Sequence, residues 1–208
     1  MSRDRILAVA VQLVDEHGLD ALSMRKLGAA LGVEAMSLYN HVENKDDVLD
    51  GMLDRVMRQI RIPDPQAPWT ERLRQLAGEI RRAGLEHPGV LPLFGARPVI
   101  TAEGFAPVQA IHETLVDAGF ATERGVHAFV FVSAFVLGYL RIDEGRVSPT
   151  PIEPGAPYTS WVGPEHEPAA RFGQRLADRD WDVEFERCVE LMIESLRALI
   201  ASNSSLTD

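Results

Sequence analysis

The side chains capable of covalent or metal chemistry are few in this chain, and they are dispersed. The six histidines, at 17, 41, 87, 112, 127 and 166, form no His-x-x-x-His pair, and Cys188 stands alone, which excludes an internal disulfide and a zinc site built on several thiolates. A glycine-rich phosphate loop, a nucleophile elbow and a carboxylate pair in a catalytic setting are all missing from the sequence. Groups suited to non-covalent recognition are better placed: Arg25, Lys26 and Lys45 gather in the first 61 residues, where a guanidinium or ammonium can meet a phosphate or a base edge. Charge at first argues the other way, because 31 acidic against 21 basic residues leave a net −10 and a pI near 5.1. Residues 1–61, however, hold eight basic and ten acidic side chains, a net of −2, and the remaining −8 belongs to the rest of the chain. Attraction to phosphate depends on local placement and fades over about 8–10 Å at physiological salt.

The elements that must position these groups are helices. Strand signals are nearly absent and apolar residues recur every three or four positions, so the sequence reads as all-α. Ile6, Ala10, Leu13 and Val14 share one face of a helix over 3–17, stopped by Gly18. Ser23 caps a short helix over 24–31 ended by Gly32, a second short helix runs over about 35–41, and Asn44 caps a longer one over 45–61. Pro63, Pro65 and Pro68 mark 62–68 as a connector, which divides the chain into domains at 1–61 and 62–208. Beyond it the spacing predicts helices over about 69–86, 89–95, 101–118, 122–143, 166–178 and 182–201. Segment 145–163, with four prolines and three glycines, reads as a long loop, and 202–208 as a frayed end. The run 126–140 is apolar but shorter than the roughly 20 residues of a membrane span, and it is expected to be a core helix buried on most sides. The charged start, Met1-Ser2-Arg3-Asp4-Arg5, lacks a signal-peptide core, so a cytoplasmic protein is expected.

The pair 24–31 and 35–41, joined through Gly32, has the dimensions of a helix-turn-helix, whose second helix projects into a major groove about 12 Å wide. Helix–Gly–helix pairs occur in any helical protein, and the spacing alone leaves plain packing open. The run Leu31-Gly-Val-Glu-Ala-Met-Ser-Leu-Tyr-Asn-His-Val-Glu-Asn-Lys-Asp-Asp-Val-Leu strongly resembles the signature of the TetR family of one-component transcriptional regulators. Weaker likeness continues through Gly95-Ala-Arg-Pro98, Asp117-Ala-Gly-Phe120, Ser133-Ala-Phe-Val-Leu-Gly138 and the terminal helix, in the manner of the tetracycline-repressor type of regulatory domain.

The resemblance implies an amino-terminal three-helix DNA-binding domain followed by a larger helical effector-binding and dimerisation bundle. It places Arg25 against a base, with Lys26 beside it on the DNA face. Ala35, Met36, Ser37 and Asn40 fall on the exposed face of the recognition helix, and Tyr39, His41 and Lys45 at phosphate-contacting positions. Packing against the first helix is the alternative for Tyr39 and His41, whereas Leu38 and Val42 are expected to be buried. The implied partners are a palindromic double-stranded operator, a second copy of the chain and a small-molecule effector that releases the DNA. Activation in place of repression, and effector-independent binding, share the same fold, and a small-molecule enzyme is the competitor from another class. No cofactor and no membrane partner are expected.

In the carboxy-terminal part the apolar stripe of Phe185, Val189, Met192, Leu196 and Leu199 suits helix packing, and the resemblance implies that this helix and the one over 122–143 form an intersubunit bundle; packing inside its own subunit is the alternative. Leu93, Phe94, Phe105, Ile111, Phe129, Phe131, Phe135, Tyr139, Trp161 and Phe172 each suit a core, but together they exceed what a tightly packed bundle needs, and the resemblance implies an effector cavity among them, with Gln75, His87, Gln109, His112 and Ser133 as polar groups to orient a ligand. Where the family type carries a magnesium-binding histidine this chain has Leu93, and Ile142, with Asp143 adjacent, replaces an assisting glutamate. A metal-free, less polar effector is therefore expected in place of a magnesium–tetracycline complex. The 145–163 loop, with Tyr158 and Trp161, reads equally as a gate to the cavity or as disorder.

Overall fold

A computed structural model describes residues 1–120, 122–147, 171, 175–176 and 178–204, without the side chains of 122, 144–147 and 202–204. Tyr158, Trp161, Phe172, the expected loop beyond residue 147 and most of the expected helix over 166–178 lie outside the described residues, as do 205–208. Among the described residues there are eight α-helices: α1 Arg3–His17, α2 Met24–Leu31, α3 Ala35–Leu38, α4 Lys45–Met57, α5 Trp69–Glu86, α6 Ala102–Asp117, α7 Thr122–Val147 and α8 Trp181–Ser204. Short 3₁₀ turns occupy Leu19–Ala21 and Leu91–Leu93; Pro92 at the start of the second, and i to i+3 bonds in place of i to i+4, explain why 89–95 does not form the expected α-helix.

Local chemistry sets most boundaries. Ser2, Ser23, Asn44 and Thr101 each accept a backbone N–H three residues on, capping α1, α2, α4 and α6. Gly32 ends α2 at φ 70°, a left-handed conformation that costs glycine nothing. The chain divides into two compact units, Met1–Leu140 and Arg141–Asp208. In the first, α1 packs on α2 and α4, α2 on α3, and α4 and α5 on α6. Its core is aliphatic, with Ile6, Leu27, Leu38, Met52, Leu53, Leu73, Leu76 and Leu115 all enclosed.

The segment just past α4 is joined to α5 by charge. Arg61 reaches Oε1 of Glu79 at 2.6 and 3.0 Å, and Arg82 reaches Oε2 at 2.9 and 3.1 Å. Arg61 first, then Arg82, pulls the Glu79 carboxyl from its ordinary 4.5 down to about 2. A depressed carboxylate stabilises the fold above its unfolded titration range and loses that contribution as pH falls through the folded one. Stability should thus drop by about 1–2 kcal/mol between pH 4.5 and pH 2 from this group, after allowance for solvent screening. Urea unfolding across that window should show the loss in the native chain and a correspondingly flatter acid limb in Glu79→Gln; parallel limbs would refute the assignment.

The long apolar helix departs from expectation. Residues 123–143 of α7 are long and apolar enough to cross a membrane by length and composition, and only a third of that window is buried. The enclosed side is the stripe Ala128, Val132, Val136, Tyr139 and Leu140, while Val126, Val130, Phe131 and Ile142 are exposed. A helix buried on most sides is therefore corrected to one buried along a single stripe. Hydropathy does not specify which faces of an apolar helix have neighbours.

Candidate nucleic-acid interface and effector groove

The turn between α2 and α3 is held by its own backbone. Gly32 N–H bonds the Ala29 carbonyl at 3.1 Å and Val33 N–H the Gly28 carbonyl at 2.9 Å. Gly28 lets the two helices approach: a Cβ there would lie 2.9 Å from the Val33 carbonyl oxygen and 3.1 Å from Ala35 N. Leu27, Leu38 and Val42 anchor the pair in the core. Helix α3 is shorter than the sequence predicts. It ends at Leu38, and residues 39–41 continue as a tight turn in which His41 N–H reaches the Leu38 carbonyl at 2.9 Å.

With those anchors turned inward, the other side chains face solvent. Met36 is 75% exposed, Tyr39, Asn40 and His41 are exposed, and Ala35 and Ser37 are half-buried. Arg25 and Lys26 are exposed in the first turn of α2, and Lys45 is exposed in the first turn of α4. The α4 start is rigidly placed. Arg3 of α1 grips Asp47 through both carboxylate oxygens at 2.6 and 2.7 Å, and this guanidinium holds the Asp47 carboxyl below the usual carboxylate range. The same carboxylate accepts Glu43 N–H, while the Asn44 side chain caps Asp47 N–H. The nine expected DNA-facing residues thus lie on or beside the solvent-facing parts of three consecutive elements.

A groove of about 450 Å³ lies elsewhere in the first unit, lined by Phe105, Val108, Gln109, His112 and Val116 of α6, by Phe120, and by Gly125, Val126 and Phe129 of α7. Among the described residues that line it the polar side chains are Gln109 and His112, and the Gln109 Nε2 donates to Glu113 at 2.7 Å. Of the expected cavity residues it gathers Phe105, Gln109, His112 and Phe129. Leu93 is buried in the 3₁₀ turn and Ile111 on the opposite side of α6, with Phe94 and Ser133 half-buried elsewhere. Phe135 and Tyr139 pack on each other at 6.1 Å, and Arg81 lies 5.9 Å from the centre of the Tyr139 ring. Phe131 does not line the groove, and Trp161 lies outside the described residues. Gln75 is engaged by Glu71 at 2.8 Å, and His87 by Asp15 at 2.8 Å, so neither serves the groove. Val108, Val116, Phe120, Gly125 and Val126 escaped sequence reasoning. The signal was present as the spacing of 105, 108, 109, 112 and 116, one helical face opposite the buried 107, 110, 111, 114 and 115.

Helix α4 carries Asp46, Asp50 and Asp54 at four-residue intervals. Arg97 bonds Asp50 and pairs with Asp46 at 3.1 Å. Asp54, 1% exposed, accepts from Thr101 N–H at 3.0 Å and Thr101 Oγ1 at 2.7 Å, with Arg58 paired to its other oxygen at 2.9 Å. Thr101 is also the cap of α6, so the helix lining the groove is tied at its first turn to the middle of α4.

The expected interface stripe on α8 divides by exposure in the single chain. Phe185, Val189, Met192 and Leu196 are buried within the single chain, and of the five only Leu199 is exposed, at 50%. The apolar groups that α8 leaves uncovered are Val183, Leu191 and Leu199.

A short helix pair presenting an exposed reading face, ahead of a larger helical body with an apolar groove, defines a helix-turn-helix regulator architecture. Two family models match: bacterial regulatory proteins of the tetR family over residues 6–52, and the tetracyclin repressor-like C-terminal domain over residues 62–200. The chain belongs to the tetR family. It is 37% identical over 139 residues to an HTH-type transcriptional regulator of Saccharopolyspora erythraea, covering 66% of this chain and 59% of that protein. It is 32% identical over 143 residues to the HTH-type transcriptional repressor DrrR1 of Streptomyces coeruleorubidus, covering 68% and 53%. The matches thus span little more than half the length of these two relatives. The crystal structure of the Streptomyces coelicolor TetR family protein ActR in complex with actinorhodin superposes with a TM-score of 0.77 at 26% identity, covering 95% of this chain and 97% of that one.

Proposed function

We propose that this protein is a cytoplasmic transcriptional repressor that binds a palindromic DNA operator as a homodimer and is released by an uncharged, apolar small molecule. Residues 1–61 serve as the DNA-binding domain and 62–208 as the effector-binding and dimerisation domain, with no catalytic step and no metal. The observation that carries the reading is the outward face of α2, α3 and the α4 start, where Met36, Tyr39, Asn40, His41, Arg25, Lys26 and Lys45 are exposed while Leu27, Leu38 and Val42 hold the motif in the core. Arg25 then reads a base, Ala35 and Met36 pack on thymine methyls, Ser37 and Asn40 donate to bases or phosphate, and Tyr39, His41 and Lys45 set register on phosphates. The repressor named among the relatives and the actinorhodin-bound structure support repression and effector response.

A second copy is the natural cover for the uncovered apolar groups Val130, Phe131 and Ile142 on α7 and for Val183, Leu191 and Leu199 on α8. The effector occupies the α6–α7 groove, whose described lining residues include no Asp, Glu, Lys or Arg. Displacement of α6 reaches α4 through Thr101–Asp54 and Arg97–Asp50, and it misaligns paired recognition elements.

Sequencing the DNA retained by purified protein from a random duplex pool tests this reading, a palindrome being expected and no enrichment refuting it. On the selected operator, Arg25→Ala should relax preference at one base position, with a loss of about 1–3 kcal/mol. Lys45→Ala should weaken all sequences alike and lower the salt slope by about one. Equal losses on specific and random DNA for Arg25→Ala would remove its base-reading role.

A further inference from the structure

The end of α1 meets the rest of the first unit around a single imidazole. His87, half-buried at the end of α5, places Nδ1 2.8 Å from Asp15 Oδ2 of α1 and Nε2 3.3 Å from Gln59 Oε1, two residues past the end of α4. The other Asp15 oxygen accepts Gly89 N–H at 3.0 Å. Gly89 is pressed so closely onto α1 that a Cβ would fall 2.1 Å from the Val14 carbonyl oxygen. The orientation of the Gln59 amide is fixed separately, because its Nε2 reaches the Arg55 carbonyl at 3.4 Å and so turns Oε1 to the ring. Both ring nitrogens therefore face acceptors. A neutral imidazole has one N–H, which the carboxylate claims, leaving a lone pair opposed to the Gln59 oxygen; an imidazolium donates to both.

We propose that His87 is a proton-operated joint: protonation closes the His87–Gln59 contact and adds a bond between the end of α4 and the junction of α1 with α5, and deprotonation opens that one contact while Asp15 keeps its bond and Arg82 keeps the Gln59 carbonyl. The proposal rests on reading residues 1–61 as the DNA-binding domain, and it adds a proton to the signals that domain receives. The charged groups on the packed elements are accounted for. From α1 comes Asp15 itself, with Glu16 and His17 paired to each other at its exposed end. From α4, Arg55 pairs with Asp4 and Arg58 with Asp54. From α5, Arg82 pairs with Glu79 and Glu86 and also bonds the Gln59 carbonyl at 3.0 Å. None of the other groups competes for the two ring nitrogens in this geometry. A joint that is closed before DNA arrives leaves less ordering to be done on binding, so operator affinity rises as pH falls.

An NMR titration of the full chain from pH 8.5 to 5.5 tests the joint directly. The His87 ring, the Gln59 side-chain amide and the backbone amides of residues 55–60 should move with one midpoint. In Gln59→Leu, which keeps the Asp15 bond, the ring should titrate without the α4 amides, and in His87→Gln those amides should be indifferent to pH. Amides of 55–60 that ignore the ring in the native chain would overturn the proposal. On an operator selected from the random pool, native affinity should rise about three- to tenfold more than that of His87→Gln between pH 8 and pH 6, at an unchanged salt slope. A rise of the same size in both proteins, or one with a slope steeper by about one, would assign the effect to a phosphate-facing histidine such as His41 and overturn the link to DNA. If no duplex is selected, the repressor reading fails while the NMR titration still decides the joint.

Discussion

Gly28→Val should abolish operator binding, by about a hundredfold or more, while leaving the groove and α5–α7 folded. The added Cβ would sit 2.9 Å from the Val33 carbonyl oxygen, 3.1 Å from Ala35 N and 3.2 Å from Ala35 Cα. All three are backbone atoms, so no rotamer change relieves the clash and α3 must move off α2. Even Gly28→Ala should cost about 1–3 kcal/mol as overpacking. That sign is informative, because glycine to alanine inside an unobstructed helix stabilises by about 0.5–1 kcal/mol. Gly78 in α5 supplies the matched control, since a Cβ there meets nothing within 4 Å, and Gly78→Ala should raise stability. Urea midpoints for the alanine pair and hydrogen exchange over residues 33–42 for the valine variant give the readout. Equal and positive alanine effects at 28 and 78 would show that the close approach is unimportant.

Asp54→Ala should cost about 1–3 kcal/mol, a large share of a typical domain's stability. Removing the carboxylate leaves the Thr101 hydroxyl and N–H without their acceptor and Arg58 without its partner. Thr101→Val deletes both the hydroxyl bond to Asp54 and the cap on Gly104 N–H, and should cost about 2–3 kcal/mol. In the double variant the losses should fall short of additivity by more than 1 kcal/mol, because the second substitution removes a group already orphaned by the first. Additive losses in urea unfolding would mean that α4 and the cap of α6 are not coupled through this pair.

The sequence made helix boundaries legible where the signal is local. Gly18, Ser23, Gly32, Asn44 and Pro68 place the limits of α1, α2 and α5 and the start of α4 because a cap or a stop acts within a few residues. The buried and exposed sides of the α2–α3 motif were legible too, since a short helix with two large apolar groups has one way to dock. Elsewhere periodicity shows which residues share a face but not which face is covered. On α8 the stripe Phe185, Val189, Met192 and Leu196 is buried within the single chain, and on α6 the Ile111 side is enclosed while the His112 side opens to the groove. His87 was less legible still. A lone histidine carries no mark of an aspartate 72 positions away, and that contact exists only once α5 returns to the end of α1.

The brevity of α3 has an evolutionary consequence. Four helical residues are far too few to be helical on their own, so the segment owes its shape to Leu38, Val42 and the turn through Gly32. The side chains that face outward, Met36 and Asn40 among them, contribute almost nothing to holding it there. Exposed positions of this kind exchange at a cost within about ±0.5 kcal/mol. On the proposed DNA-reading role of these residues, the sequence recognised can therefore drift, or be redesigned, without drawing on the stability of the fold, and a lineage so equipped is free to acquire new target genes by substitutions that the core never registers.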